Sequence, residues 1–170
     1  MLLKNNYLRL SQLGVDGKTV LLRADLNVPI GETQGTPIDM IDQRLRATIP
    51  TINYLLSKGC KIVLCSHLGR PGGMVNPKFS MKPIAARLSV LIDKPIECLA
   101  ACVGPEVQNT VAAMDSGELV MLENLRFHPE EEMNDPGFAT ELARLADVFV
   151  LEAFGTAHRQ HASIVGVPKL

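Results

Sequence analysis

The sequence predicts an α/β fold: a three-layer, doubly wound parallel sheet with helices on both faces, built as a single domain. Three observations predict it. Short apolar runs rich in branched side chains recur along the chain, stretches of helical periodicity separate them, and glycine, proline or capping residues mark the boundaries. In order, residues 19–24 (TVLLRA), 61–65 (KIVLC), 96–99 (IECL), 119–122 (LVML) and 148–151 (VFVL) are the expected strands. Between the first two, Leu45, Ile49, Ile52 and Leu56 form one stripe at helical spacing that stops at Gly59, with Pro50 an expected kink. Ser80 is the expected N-cap of the segment MKPIAARLSVLI. Asp135 is a cap followed by Pro136 at the first helical position, and Phe138, Leu142 and Leu145 line one face running into the last strand. Strand and helix alternate in this way in βαβ units, whose crossovers make neighbouring strands parallel and put helices on both sheet faces, a Rossmann-like arrangement.

With 170 residues, 46% of them hydrophobic and 21% charged, the chain can bury a core of ordinary size. A formal net charge of -1 gives no long-range field that would gather nucleic acid or an anionic membrane, so neither is an expected partner and any cationic site must be local. No apolar run approaches the ~18 residues of a membrane span, and the apolar part of MLLKNNYLRL is too short for a signal peptide; a cytoplasmic chain is expected. The four cysteines lack the Cys-x-x-Cys spacing of zinc or redox sites, so they read as small buried hydrophobes and no metal is expected.

The polar residues that follow the strands carry the functional signal. Asp25 and Asn27 follow the first strand, His67 and Arg70 the second, Glu123, Asn124 and Arg126 the fourth, and Glu152, His158 and Arg159 the last. In an open parallel sheet the carboxyl ends of all strands lie along one edge, where ligands bind. Any one arginine there reads more readily as a solvated loop residue; their convergence on one edge points to an anion site. Arg44, near the start of the helix after the first strand, joins the same edge. Arginine suits planar, two-pronged capture of phosphate or carboxylate. Nucleotide motifs are wanting: GVDGKT at residues 14–19 has two residues between its glycines instead of four and precedes its strand, and no Gly-x-Gly-x-x-Gly follows any strand. Side chains must therefore hold the anion.

The motifs LLRADLNVP, QRLRATIP, SHLGRP, ENLRFH and AFGTAHRQHAS resemble, in order and approximate spacing, the amino-terminal domain of phosphoglycerate kinases, over nearly the whole chain. The resemblance implies a glycolytic enzyme that moves a phosphoryl group between 1,3-bisphosphoglycerate and ADP, or from ATP to 3-phosphoglycerate. It implies a substrate site at Asp25, Leu26 and Asn27, Arg44, His67, Leu68, Gly69 and Arg70, Arg126 and Arg159. Within that set, Arg70, Arg126, Arg159 and His67 are expected to hold the phosphate and carboxylate between them. Asp25, with Asn27, is expected to accept a hydrogen bond from the substrate hydroxyl, and Arg44 to act catalytically on the charge of the transferring phosphoryl group.

Residues 1–170 are thus expected to be the 3-phosphoglycerate domain, monomeric and inactive alone. The resemblance assigns Mg-ATP or Mg-ADP, as co-substrate, to a complementary nucleotide domain beyond Leu170. A stand-alone module that binds a phosphorylated metabolite is the alternative. One local departure stands out: the family usually carries Asp before AFGTAHR, often Asn-Asp, where this chain has Leu151 and Glu152. Glu130 to Glu132 read as a solvated acidic turn. Met114, Met121 and Met133 read as core fillers or loop residues. His128 and His161 are either supports behind Arg126 and Arg159 or plain surface histidines.

Overall fold

The computed structural model describes residues 8–28 and 38–170. Its strands are β1 (Thr19–Ala24), β2 (Lys61–Cys65), β3 (Glu97–Cys98), β4 (Leu119–Met121) and β5 (Val148–Glu152), all parallel, in the sheet order β3-β4-β2-β1-β5. Its helices are α1 (Ile38–Ser57), α2 (Lys82–Ile92), α3 (Pro105–Ala113), the single turn α4 (Pro129–Glu132) and α5 (Pro136–Ala143). The expected three-layer doubly wound sheet is the fold observed. Strand alternation divides the core in two. Val20, Leu22, Ala24, Ile62 and Leu64 pack under α1 and α2 through Leu45, Ile52, Ile84 and Leu88, while Leu21, Val63, Val120 and Leu122 pack under α3 and α5 through Val107, Val111, Phe138 and Leu142.

Three local expectations change. The N-terminus of α2 begins one residue later than Ser80 suggests. Ser80 Oγ does accept from the Lys82 N–H at 3.2 Å, but the Met81 N–H is taken by the Glu123 carboxylate at 2.6 Å, so the cap is shared between a local hydroxyl and an acid from the next loop but one. Helix α3 was not legible in advance, because Val107 and Val111 are its only buried side chains. The strand expected at 96–99 shrinks to two residues at the sheet margin, although the Leu99 N–H still donates to the Met121 carbonyl at 2.8 Å. Helix α1 continues through Pro50.

The order of the strands fixes where a ligand should lie. Strand β2 is followed by α2 on one face, whereas β4 is followed by α5 on the other, and the two strands are neighbours. Their outgoing connections, the loops after β2 and β4, part to opposite faces of the sheet, and in open parallel sheets ligands bind at the carboxyl edge of such a switch point.

Candidate functional site

Those two loops are clasped by one side chain. Asn124, fully buried, accepts from the N–H groups of Leu68 and Arg126 through Oδ1, at 3.2 and 3.0 Å, and donates through Nδ2 to the carbonyls of Leu68 and Phe79, at 2.8 and 2.9 Å. All four of its amide hydrogen-bonding positions are occupied by backbone, which is why an asparagine and no longer side chain fits there. Arg126 completes the clasp by donating from Nη1 to the Gly69 carbonyl at 2.7 Å, and its Nε lies 3.2 Å from Glu132 as an ion pair without hydrogen-bond alignment. With 5% of its surface exposed, Arg126 is a positioned cation.

The loop after β1 is tied to the same loop after β2. Ser66 Oγ donates to the Ala24 carbonyl at 2.8 Å and accepts from the Leu26 N–H at 3.1 Å, while Asn27 Oδ1 accepts from the Gly69 N–H at 2.9 Å. Among the described residues that bond leaves the second Oδ1 lone pair and the side-chain N–H groups of Asn27 to meet a ligand. Gly69 has φ of +61°, and a Cβ there would lie 2.4 Å from the Phe79 ring, so both its backbone and its space demand glycine. Leu26 and Leu68 turn their side chains into the core, at 0% and 2% exposure, and act here through their backbone groups.

His67 is 2% exposed and receives Arg23 Nη2 on Nδ1 at 2.9 Å, whereas its Nε2 is buried without a partner among the described residues. Burial foremost, and then Arg23, Arg159, His161 and Arg44 around it, push its pKa down to about 3, so the ring is neutral at ordinary pH. Arg44, half exposed, reaches back from α1 to Asp25, with Nη1 3.1 Å from each carboxylate oxygen. Arg70 is exposed and Arg159 half-buried, and neither guanidinium is paired among the described residues. The edge therefore brings together Asp25, Asn27, Arg44, His67, Gly69 and Arg126 by direct contacts among their loops. Arg159 joins them through its field on His67.

Sequence reasoning missed a buried cation at the back of the site. Arg23 occupies an inward position of β1 at 1% exposure and is held by Ser163, the Ala24 carbonyl and His67. Its signal was an arginine inside the run TVLLRA, where strand alternation points it toward the buried face shared with Leu21. The acidic turn was misread as well. Glu131 is 1% exposed and accepts from both the N–H and the hydroxyl of Ser163, at 2.9 and 2.6 Å, because the single turn α4 packs it against the segment after His161. His161 lies beside this acid, Nδ1 3.9 Å from Glu131 and beyond hydrogen-bond distance, and burial lowers its pKa; His128 stacks on Phe138 at 4.9 Å between ring centres. Glu152, the local departure, accepts from Thr51 Oγ1 at 2.8 Å with its other oxygen buried and, among the described residues, unpaired, and burial raises its pKa. Cys60, Cys65 and Cys102 are fully buried and Cys98 half-buried; burial raises all four pKa values, those of Cys65 and Cys98 to about 12, which keeps them as thiols.

Comparison with known proteins gives this edge its context. A cytosolic phosphoglycerate kinase of Triticum aestivum is 51% identical over 169 residues, covering 99% of this chain and 41% of its own length. A chloroplastic phosphoglycerate kinase of Chlamydomonas reinhardtii is 51% identical over 160 residues, covering 94% of this chain and 34% of its own length. The crystal structure of phosphoglycerate kinase from Pyrococcus horikoshii OT3 superposes with a TM-score of 0.82 at 33% identity, over 94% of this chain and 40% of that one. The chain thus spans well under half the length of the relatives it matches. With the phosphoglycerate kinase family model matching residues 10–170, the chain belongs to the phosphoglycerate kinase family.

Proposed function

We propose that this chain is the phosphoglycerate-binding half of a phosphoglycerate kinase, which transfers a phosphoryl group between 1,3-bisphosphoglycerate and ADP. The observation that carries the reading is the carboxyl edge at the loops after β2 and β4, where Arg126 is buried and braced and His67 Nε2 has no partner among the described residues. A cation held in a partly dry edge gains from an incoming anion what it lost on leaving water. Arg126, Arg159 and Arg70 supply positive charge for the phosphate and carboxylate of 3-phosphoglycerate, and His67 supplies a neutral N–H. Asp25 accepts from the substrate hydroxyl, and the side-chain amide of Asn27 meets the same ligand. Arg44 turns from Asp25 toward the phosphoryl group as charge builds there.

The nucleotide, as Mg-ATP or Mg-ADP, is assigned to a complementary domain outside these residues, so transfer requires that partner and the isolated chain binds without turnover. A monomer in the cytosol fits the four unpaired cysteines, which suit a reducing compartment. Among the described residues no helix is long and apolar enough to cross a membrane.

Calorimetric titration of the chain with 3-phosphoglycerate tests the reading. Saturable binding that sulfate competes away supports it, since a tetrahedral oxyanion satisfies the same guanidinium forks. No binding by a chain with a cooperative thermal transition would refute it. Transfer from MgATP, assayed with the chain alone and after addition of a nucleotide domain, separates an enzyme half from a binding module.

A further inference from the structure

Arg23 is buried at the carboxyl end of β1, behind the loop after β2, and among the described residues no carboxylate touches it. Its Nε–H donates to Ser163 Oγ at 3.0 Å, Nη1 to the Ala24 carbonyl, and Nη2 to His67 Nδ1 at 2.9 Å. Ser163 passes the contact on, since its hydroxyl donates to Glu131 at 2.6 Å. A chain of polar contacts therefore runs from Glu131 through Ser163 and Arg23 to His67, joining α4, the segment after β5, β1 and the loop after β2.

The direction of the last bond is fixed by chemistry. A guanidinium has donors only, so Nδ1 must accept with its lone pair, and the proton of the neutral ring sits on Nε2. That is the buried nitrogen with no partner among the described residues. A carboxylate in the place of Arg23 would do the opposite: it would accept from Nδ1–H and turn the Nε2 lone pair toward an anion, which repels. Glu131 balances the guanidinium from two bonds away without reaching the ring.

We infer that Arg23 is a positioning residue, held by Glu131 through Ser163, whose task is to keep His67 as the Nε2–H tautomer so that this proton meets an oxyanion of the bound substrate. The inference rests on the proposed phosphoglycerate site. Arg23 itself stays behind the imidazole and does not contact the ligand.

Long-range proton–nitrogen correlation spectra of the 15N-labelled chain report the tautomer directly. His67 should show an unprotonated Nδ1 and a protonated Nε2 with and without 3-phosphoglycerate. Arg23→Met should mix the tautomers and weaken 3-phosphoglycerate binding by about tenfold, the usual size of a lost hydrogen bond to a charged group. Arg23→Lys, which restores one donor, should recover the tautomer and part of the affinity. Ser163→Ala removes only the hydroxyl that anchors Arg23 Nε and carries the test if Arg23→Met does not fold; it should also mix the tautomers. A proton on Nδ1 in the unaltered chain, or a tautomer indifferent to Arg23→Met and Ser163→Ala, overturns the inference. So does a mixed tautomer with undiminished affinity. A chain with the expected tautomer that ignores 3-phosphoglycerate would instead refute the substrate reading, so the two failures are distinguishable.

Discussion

Arg44 Nη1 lies 3.1 Å from both carboxylate oxygens of Asp25, so the arginine proposed for catalysis is parked on the acid proposed for substrate orientation. The pair is half in water, with Arg44 at 51% and Asp25 at 23% side-chain exposure, and such pairs contribute less than about 1 kcal/mol. Asp25→Ala should therefore leave urea stability within about 1 kcal/mol of the parent while lowering 3-phosphoglycerate affinity about tenfold through loss of the hydroxyl acceptor. A large loss of stability with affinity intact would make Asp25 a brace for α1 and not a ligand.

The neutral state of His67 has a consequence for acid stability. Its pKa is lowered from 6.5 to about 3 on folding, so the unfolded chain takes up a proton first. The stability it contributes is fully present above pH 6.5 and is lost as pH falls from there toward 3, at up to about 1.4 kcal/mol per pH unit. His128 and His161, also lowered, add slope in the same direction, so the measurement is a difference. Urea midpoints across this range should fall more steeply for the parent than for His67→Gln; parallel slopes would mean that the ring is not held neutral.

Glu131 should matter more than its two acidic neighbours. Glu131→Ala strands the N–H and hydroxyl of Ser163 and removes the nearest counter-charge to Arg23 through that hydroxyl, so a loss of about 2–4 kcal/mol is expected. Glu130→Ala, by contrast, should change stability by less than about 0.5 kcal/mol. Equal effects in urea unfolding would return the whole run to the solvated surface.

What could and could not be read from the residues follows from range. β1, β2 and β5 carry apolar runs between turn residues, and their pairing follows from periodicity, so sheet and layers were legible. The carboxyl edge was legible too, because parallel strands all deliver their following residues there. The contacts that give each residue its job were not. Ser163 meets Glu131 from 32 positions away and Arg23 from 140, and nothing in an EEE run says that only its middle member is buried. Local pattern also failed where it was thin: two valines four residues apart are a weak signal for α3. Arg23 was readable in principle, since alternation within TVLLRA makes it an inward charge, and an inward charge requires partners.

Gly69 joins backbone need to site geometry. Its positive φ and the Phe79 ring 2.4 Å from a built Cβ make Gly69→Ala strained twice over, for an expected loss of about 1–3 kcal/mol. Its N–H and carbonyl hold Asn27 and Arg126, so affinity for 3-phosphoglycerate should fall along with stability. Calorimetry and urea unfolding on the same preparation check this; full affinity in a destabilised variant would separate the loop from the site.

Arg44 and Arg126 carry the same charge and occupy opposite situations, which makes their substitutions the sharpest test of the proposed roles. Arg126 is 5% exposed and fixed by the Gly69 carbonyl and Glu132, so it presents the same guanidinium to the ground state and to the transition state. Arg44 is half exposed, held among the described residues by Asp25 alone, and able to move to charge that develops during transfer. Interactions equal in both states set affinity, whereas those made only in the transition state set turnover. In a chain joined to a nucleotide domain, Arg126→Ala should raise KM for 3-phosphoglycerate with a smaller effect on kcat, and Arg44→Ala should lower kcat by ~10² or more with KM nearly unchanged. In the isolated chain only affinity is readable, and it should fall clearly for Arg126→Ala and little for Arg44→Ala. Equal losses of affinity at both positions, with kcat untouched by Arg44→Ala, would make Arg44 a second phosphate clamp and remove the reason for its release from Asp25.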